Sequence, residues 1–106
     1  MKIENLKQNQ KGVTIDLNIT DFGDLRKFYK FGTEGRVITA LGKDETGKIC
    51  VTLWNKEIDK VKIGDRIRVK NGYVNQFQGI MQITAGRYGK IEVIGKIEDE
   101  SEPSSP

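Results

Sequence analysis

The chain carries little with which to make or break a covalent bond. It has no histidine and one cysteine, Cys50. A Ser-His or Cys-His nucleophile pair, a zinc finger and a disulfide framework are therefore excluded. Its carboxylates are scattered through turns, and no glycine-rich phosphate loop is present. What it does carry is rings among amides and cations. "NGYVNQFQG" at 71–79 sets Tyr73 and Phe77 four positions apart between glycines, and "VTLWNK" at 51–56 ends a strand-like run with the single tryptophan, Trp54. A third stretch, "RKFYKFG" at 26–32, interleaves Phe28, Tyr29 and Phe31 with Arg26, Lys27 and Lys30. Flat π faces beside cations can stack on other flat π systems and neutralise phosphates. This is binding chemistry, and the expectation is a protein without catalysis, cofactor or metal.

The charge agrees with that chemistry. The chain of 106 residues has net charge +3, but "EDESEPSSP" at 98–106 holds Glu98, Asp99, Glu100 and Glu102 with no basic partner, which leaves +7 on residues 1–97. A basic domain followed by an acidic Pro/Ser tail suggests a polyanion partner. We expect one folded domain over residues 1–97 and a disordered tail over 98–106. No run of about eighteen apolar residues occurs, so no membrane partner is expected. "MKIENLKQNQ" has no apolar signal core, which points to a soluble cytoplasmic protein that is not secreted.

The elements that must position the rings are strands. In "GVTIDLNIT", Val13, Ile15, Leu17 and Ile19 alternate with polar residues, the period of a half-buried strand. "GKICVTLW" puts Ile49, Val51 and Leu53 on one face, "GDRIRVK" puts Ile67 and Val69 inward, and "GIMQIT" repeats the pattern with Met81 and Ile83. "KIEVI" at 90–94 extends or re-enters that last strand. "GRVITALG" at 35–42 is also a strand, but Val37, Ile38, Ala40 and Leu41 do not alternate cleanly, which predicts a bulge or strong coiling there and leaves its faces unassigned. In "KDETGK", Asp44 is placed to cap a turn. Only "NKEIDKVK" at 55–62 has helical character. Five strands with a short helix between the third and fourth suggest an all-β, five-stranded Greek-key barrel of the OB type. A six-stranded SH3-like barrel would not need segment 55–63.

On such a barrel, strand parity sends Trp54 to the outer face beside Thr52 and Cys50. The parity of Ile67 and Val69 would turn Tyr73 inward, unless Gly72 marks a bulge that re-aims it. Phe77 falls in the loop between the fourth and fifth strands, and Phe28 in the loop between the first and second. Each ring could equally plug an end of the barrel. Taken together, Trp54, Tyr73 and Phe77 read as a stacking platform for unpaired bases, with Arg36, Lys43, Lys56, Lys70 and Arg87 as candidate phosphate contacts, and the loop holding Phe28 and Arg26 has the interleaved rings and cations that nucleic acid needs.

The ordered set "NLK" at 5–7, "DETG" at 44–47, "VTLW" at 51–54, "IGD" at 63–65, "NGYVNQFQG" at 71–79 and "AGRYG" at 85–89 resembles the archaeal and human single-stranded-DNA-binding proteins with one OB domain. The likeness runs from residue 5 to about 90. It implies sequence-tolerant binding of single-stranded DNA in replication, recombination and repair, by a monomer that can meet replication and repair proteins. It also implies that Trp54, Tyr73 and Phe77 stack on bases, that Phe28 approaches the strand, and that Arg87 touches phosphate. Gln78 stands where relatives have lysine, and Thr84 replaces an aromatic residue found in some. The alternatives are an RNA-binding OB module and a protein-interaction OB domain.

Overall fold

Alternation of apolar and polar residues is realised as strands β1 (Val13–Phe22), β2 (Arg26–Lys30), β3 (Thr33–Asp44), β4 (Gly47–Trp54), β5 (Asp65–Phe77), β6 (Ile80–Thr84) and β7 (Lys90–Lys96). One helix, α1 (Lys56–Lys60), joins β4 to β5, and a 3-10 turn, Ile3–Asn5, precedes β1. This computed structural model describes residues 1–86 and 88–97, Phe77 by its backbone alone. Arg87 and the acidic stretch 98–106, both singled out from sequence, lie outside the described residues. No helix among them is long and apolar enough to cross a membrane.

Pairing follows the order β1–β3–β4–β6–β5, and β5 pairs back to β1, so five strands close into a ring. Closure leaves those strands without the free edges that invite aggregation. All of these pairings are antiparallel except β4 with β6, which is parallel over three residue pairs from Cys50–Gln82 to Thr52–Thr84. The ring is filled by Ile15, Leu17, Ile19, Ile38, Ala40, Ile49, Val51, Leu53, Ile67, Val69, Val74 and Ile83, all buried. Each of these side chains apart from Ala40 contributes roughly 1.5–3 kcal/mol by leaving water. Ile3, Leu6 and Val61 join the same core.

The five expected strands, with the helix between the third and fourth, are those of the ring; β2 and β7 are additional, and four local expectations are corrected. Segment 26–32 is not a loop: β2 pairs with β3 from Arg26–Val37 to Lys30–Thr33, across a two-residue turn at Phe31 and Gly32 with φ of 52° and 77°. "KIEVI" does not continue the last ring strand; β7 pairs instead with β5, outside the ring. The strand "GRVITALG" has no bulge against β4, with which it runs in unbroken register from Val37–Trp54 to Asp44–Gly47. The slip lies on its other neighbour, where Ile19 faces Gly42 but Asp21 faces Leu41, leaving Thr20 as the extra residue. Ile38 and Ala40 point inward, and Val37 is buried in register between Arg26 of β2 and Trp54 of β4.

The fourth correction concerns 71–77, which is strand and not loop, and continues β5 to Phe77 opposite Ile80. The turn itself is only Gln78 and Gly79, with φ of 53° and 82°. The parity of β5 changes on the way. Val13 faces Gly72 and Ile15 faces Val69, so β5 carries one extra residue, and within that interval Asn71 adopts a left-handed φ of 53°. Asparagine tolerates this conformation better than other side-chain-bearing residues. Beyond the bulge Gly72 and Val74 turn inward, and Tyr73 turns out.

The turn from β3 to β4 is organised by Asp44. Its Oδ1 accepts the Thr46 N–H at 2.7 Å, the Thr46 hydroxyl at 2.6 Å and the Gly47 N–H at 3.1 Å, while Oδ2 accepts the Ile3 N–H at 2.8 Å. Burial alone would raise the Asp44 carboxyl, but these donors outweigh it and hold it below its ordinary value. One side chain thus ties the N-terminal segment, with Ile3, to the ring. A group depressed on folding stabilises above its unfolded value, near 3.9, and that contribution fades as pH falls through the depressed one. Asp44→Ala should lower stability at neutral pH by about 1–3 kcal/mol. Asp44→Asn should flatten the acid limb of the stability profile. Urea unfolding across pH checks both, and an unaltered acid limb in Asp44→Asn would show that other carboxylates govern it.

Candidate nucleic-acid interface

Register places the outward residues of four strands in rows. Thr39, Thr52, Thr84 and Tyr73 form one row across β3, β4, β6 and β5, and Leu41, Cys50, Gln82 and Asn75 form the next. Val37 and Trp54 form the row beyond Thr39 and Thr52, at the head of β4. Over this head lies the β2 hairpin. A cleft of about 600 Å³ is lined by Val37, Thr39, Thr52, Trp54 and Gln82 from the ring, and by Arg26, Lys27, Phe28 and Lys30 from β2. Its floor is apolar at one end and carries hydroxyls and an amide at the other.

Two rings meet at the cleft's head. Phe28 and Trp54 pack edge to face, centroids 5.7 Å apart and planes 80° apart, a geometry favoured by the ring quadrupoles. Phe28 faces Gly35 across the β2–β3 pair, and a Cβ on Gly35 would lie 2.2 Å from its ring. The bare backbone of Gly35 is therefore what lets the ring settle beside Trp54. Trp54 keeps 41% of its surface exposed, unlike a barrel plug.

The end of β4 is held by a polar clamp. The Trp54 N–H donates to Glu57 Oε1 at 2.9 Å. The Asn55 N–H donates to the Arg36 carbonyl at 2.9 Å, and the Arg36 N–H donates to Asn55 Oδ1 at 2.9 Å. Asn55 itself has φ 50° and ψ −117°, a conformation that persists only where its surroundings enforce it. The Arg36 guanidinium donates to both Asp59 oxygens, at 2.9 and 3.3 Å, and to the Asn55 carbonyl at 3.2 Å. Hydrogen bonding by Arg36 holds the Asp59 carboxyl low. Burial pushes the Glu57 carboxyl up, although the Trp54 N–H opposes this.

Nine of the ten residues singled out from sequence lie among the described residues, and they separate. Trp54, Phe28 and Arg26 share the cleft, and Lys56 lies beside Trp54 in an adjoining recess. Tyr73 lies on the same outer face, two strand spacings or about 10 Å across the sheet from β4, with its hydroxyl donating to Asn9 Oδ1 at 3.2 Å. Phe77 is the last residue of that strand. Arg36 is engaged by Asp59 and Asn55, so it holds the clamp. Lys43 is at the far end of β3 from Trp54, and Lys70 is away from the cleft, paired with Glu92 at 3.2 Å. Lys27 and Lys30 line the cleft but were not among the phosphate candidates. The interleaving in "RKFYKFG" was their signal, and reading the stretch as a strand would have assigned its faces. Phe31 at the hairpin tip is 95% exposed, with the Lys30 ammonium 5.8 Å from its ring centre. Among the described residues no cluster of His, Cys, Asp or Glu could hold a metal ion.

A family model described as "Single-stranded DNA binding protein Ssb-like, OB fold" matches residues 7–93. Among curated proteins, the single-stranded DNA binding protein Ssb of Saccharolobus solfataricus is 29% identical over 90 residues, covering 85% of this chain and 61% of that protein. Replication factor A of Methanothermobacter thermautotrophicus is 29% identical over 109 residues, covering 97% of this chain and 14% of that one. The chain thus spans about three-fifths of the first relative and a seventh of the second. Among solved structures, the second OB-fold domain of replication protein A from Methanococcus maripaludis superposes with a TM-score of 0.71. It is 32% identical over 93% of this chain and 98% of that one.

The seat of the Phe28 ring can be tested directly. Gly35→Ala should push the ring off Trp54, changing tryptophan emission and near-UV dichroism, and should cost about 1–3 kcal/mol of stability through overpacking. Unchanged spectra would mean that the two rings do not depend on the gap at residue 35.

Proposed function

The chain belongs to the Ssb-like family of OB-fold single-stranded-DNA-binding proteins, and from that premise we propose that it binds single strands with little regard to sequence by stacking bases on Trp54 and Phe28. Tyr73 and Phe77 extend the platform along β5. Arg26, Lys27, Lys30 and Lys56 neutralise the phosphates that pass them. The observation carrying this reading is the pair of rings at the head of an outward cleft edged by cations. A ring left 41% exposed on a strand face costs solvation unless it has an occupant, and unpaired bases are flat, apolar on their faces and tethered to anions. Duplex DNA hides those faces, so single strands are preferred. Arg87 supplies a further phosphate contact. The role that follows is protection of exposed strands in replication, recombination and repair, alongside proteins of those processes.

The test is Trp54 fluorescence during titration with a short thymidine oligomer at two salt concentrations. Quenching that weakens with salt is expected, because neutralised phosphates release counterions. Trp54→Ala should weaken binding about 5- to 150-fold, the loss of one base stack worth roughly 1–3 kcal/mol, with folding intact. Normal binding by Trp54→Ala and Phe77→Ala alike would end the stacking model. A matched RNA oligomer that competes better than DNA would move the assignment to an RNA-binding module. Absence of any salt-sensitive binding would make the rings a protein-docking patch.

A further inference from the structure

The ring carries a second charged feature away from the cleft. Lys48, Lys43, Asn18 and Arg66 are register partners in one line across β4, β3, β1 and β5. Neighbouring strands lie about 4.8 Å apart, so the line covers roughly 15 Å and bends round the ring from its cleft side to its opposite side. None of the three cations forms an ion pair or a side-chain hydrogen bond among the described residues. The acidic groups beside them are already engaged. Asp44 holds its turn, Glu45 pairs with Lys2, and both oxygens of Asp16 accept from Arg68, at 2.7 and 3.1 Å. Asp16 also feels the Arg66 charge without bonding to it. A recess of about 470 Å³ runs beside the line, lined by Asn18, Lys43 and Arg66 with Met1, Lys2, Asp16, Asp44 and Glu45. No aromatic side chain lines it.

The line also meets the platform. Phe77 pairs with Ile80, two residues before Gln82, and Gln82 pairs with Cys50. Lys48 is likewise two residues before Cys50, so the end of β5 and Lys48 stand at the same level on the ring. We propose that Lys48, Lys43 and Arg66, with the Asn18 amide, form a phosphate track that carries the continuing single strand beyond the aromatic face and round the ring. The inference rests on the stacking reading above and adds to it a backbone-only segment of the footprint. A site with cations and an amide but no rings suits phosphates and sugars, with the bases turned to solvent.

Oligomer length separates the two parts of the footprint. Thymidine oligomers of about 5 and about 15 nucleotides lie within the roughly 4–16 spanned by one OB fold. The unaltered protein should bind the longer one more tightly and with a steeper salt dependence. Replacing Lys43→Gln and Arg66→Gln together should leave the short oligomer's affinity unchanged. It should remove most of the longer one's advantage and reduce its salt slope by about 1.4, at 0.7 per phosphate released on a single strand. Lys43→Arg with Arg66→Lys should restore the slope. Equal salt slopes for the two lengths on the unaltered protein would overturn the track, as would equal losses at both lengths in the double variant, which mark a diffuse charge effect. Failure of both lengths to bind or quench Trp54 would overturn the stacking reading first, and the track with it.

Discussion

A closed ring of strands leaves no freedom in its faces, because the pleat sends each successive side chain to the opposite side. One residue changes that assignment where it matters. Up to Val69, β5 turns its odd-numbered residues inward; after the extra residue in the interval containing Asn71, the even-numbered ones point in. Without that slip Tyr73 would compete with Val74 for the core. With it, Val74 fills the core and Tyr73 joins the outer row of Thr39, Thr52 and Thr84. Gly72 follows for a packing reason, since a Cβ there would meet the Val69 side chain at 2.7 Å. The bulge is therefore the step that converts a buried ring into a surface ring at no loss to the interior.

The head of the cleft solves a different problem, which is how to keep an exposed tryptophan in one place. Trp54 ends its strand, where backbone pairing runs out and a side chain would ordinarily be free to move. Three polar groups take over from the missing ladder: Glu57 on its N–H, Asn55 in a strained conformation, and Arg36 bridging Asn55 to Asp59. Phe28 then limits the ring from the side. An arginine that sequence alone suggests for phosphate is spent on order, and preorganisation of this kind lowers the entropy lost when a ligand arrives.

How much of this was legible follows from the range over which each cause acts. Alternation in "GVTIDLNIT", "GKICVTLW" and "GDRIRVK" is local, and those faces match the structure. The turn function of Asp44 was equally legible, because an aspartate two residues before a Thr-Gly pair makes its turn contacts within four residues, whereas its bond to the Ile3 N–H, 41 positions away, was not. Segment 26–32 was not, since β2 has few apolar residues of its own and owes its strand to pairing with β3. Val37 broke the alternation of "GRVITALG" because it is buried between its register partners on β2 and β4, a tertiary fact. Gly72 pointed to a bulge one residue away from Asn71, where the strain lies. The engagement of Arg36 depends on Asp59, 23 positions on, and no spacing rule foretells it. Family membership was legible because the motifs that carry it are contiguous.

The parallel contact between β4 and β6 is only three residue pairs long, yet it decides what kind of object the outer face is. Thr52 and Trp54 approach it from one strand, Gln82 and Thr84 from the other, and the two strands belong to different antiparallel hairpins. Neither hairpin, taken alone, contains the cleft. The complete row from Thr39 to Tyr73 therefore exists only once the ring has closed, and closure is what makes one surface of two hairpins.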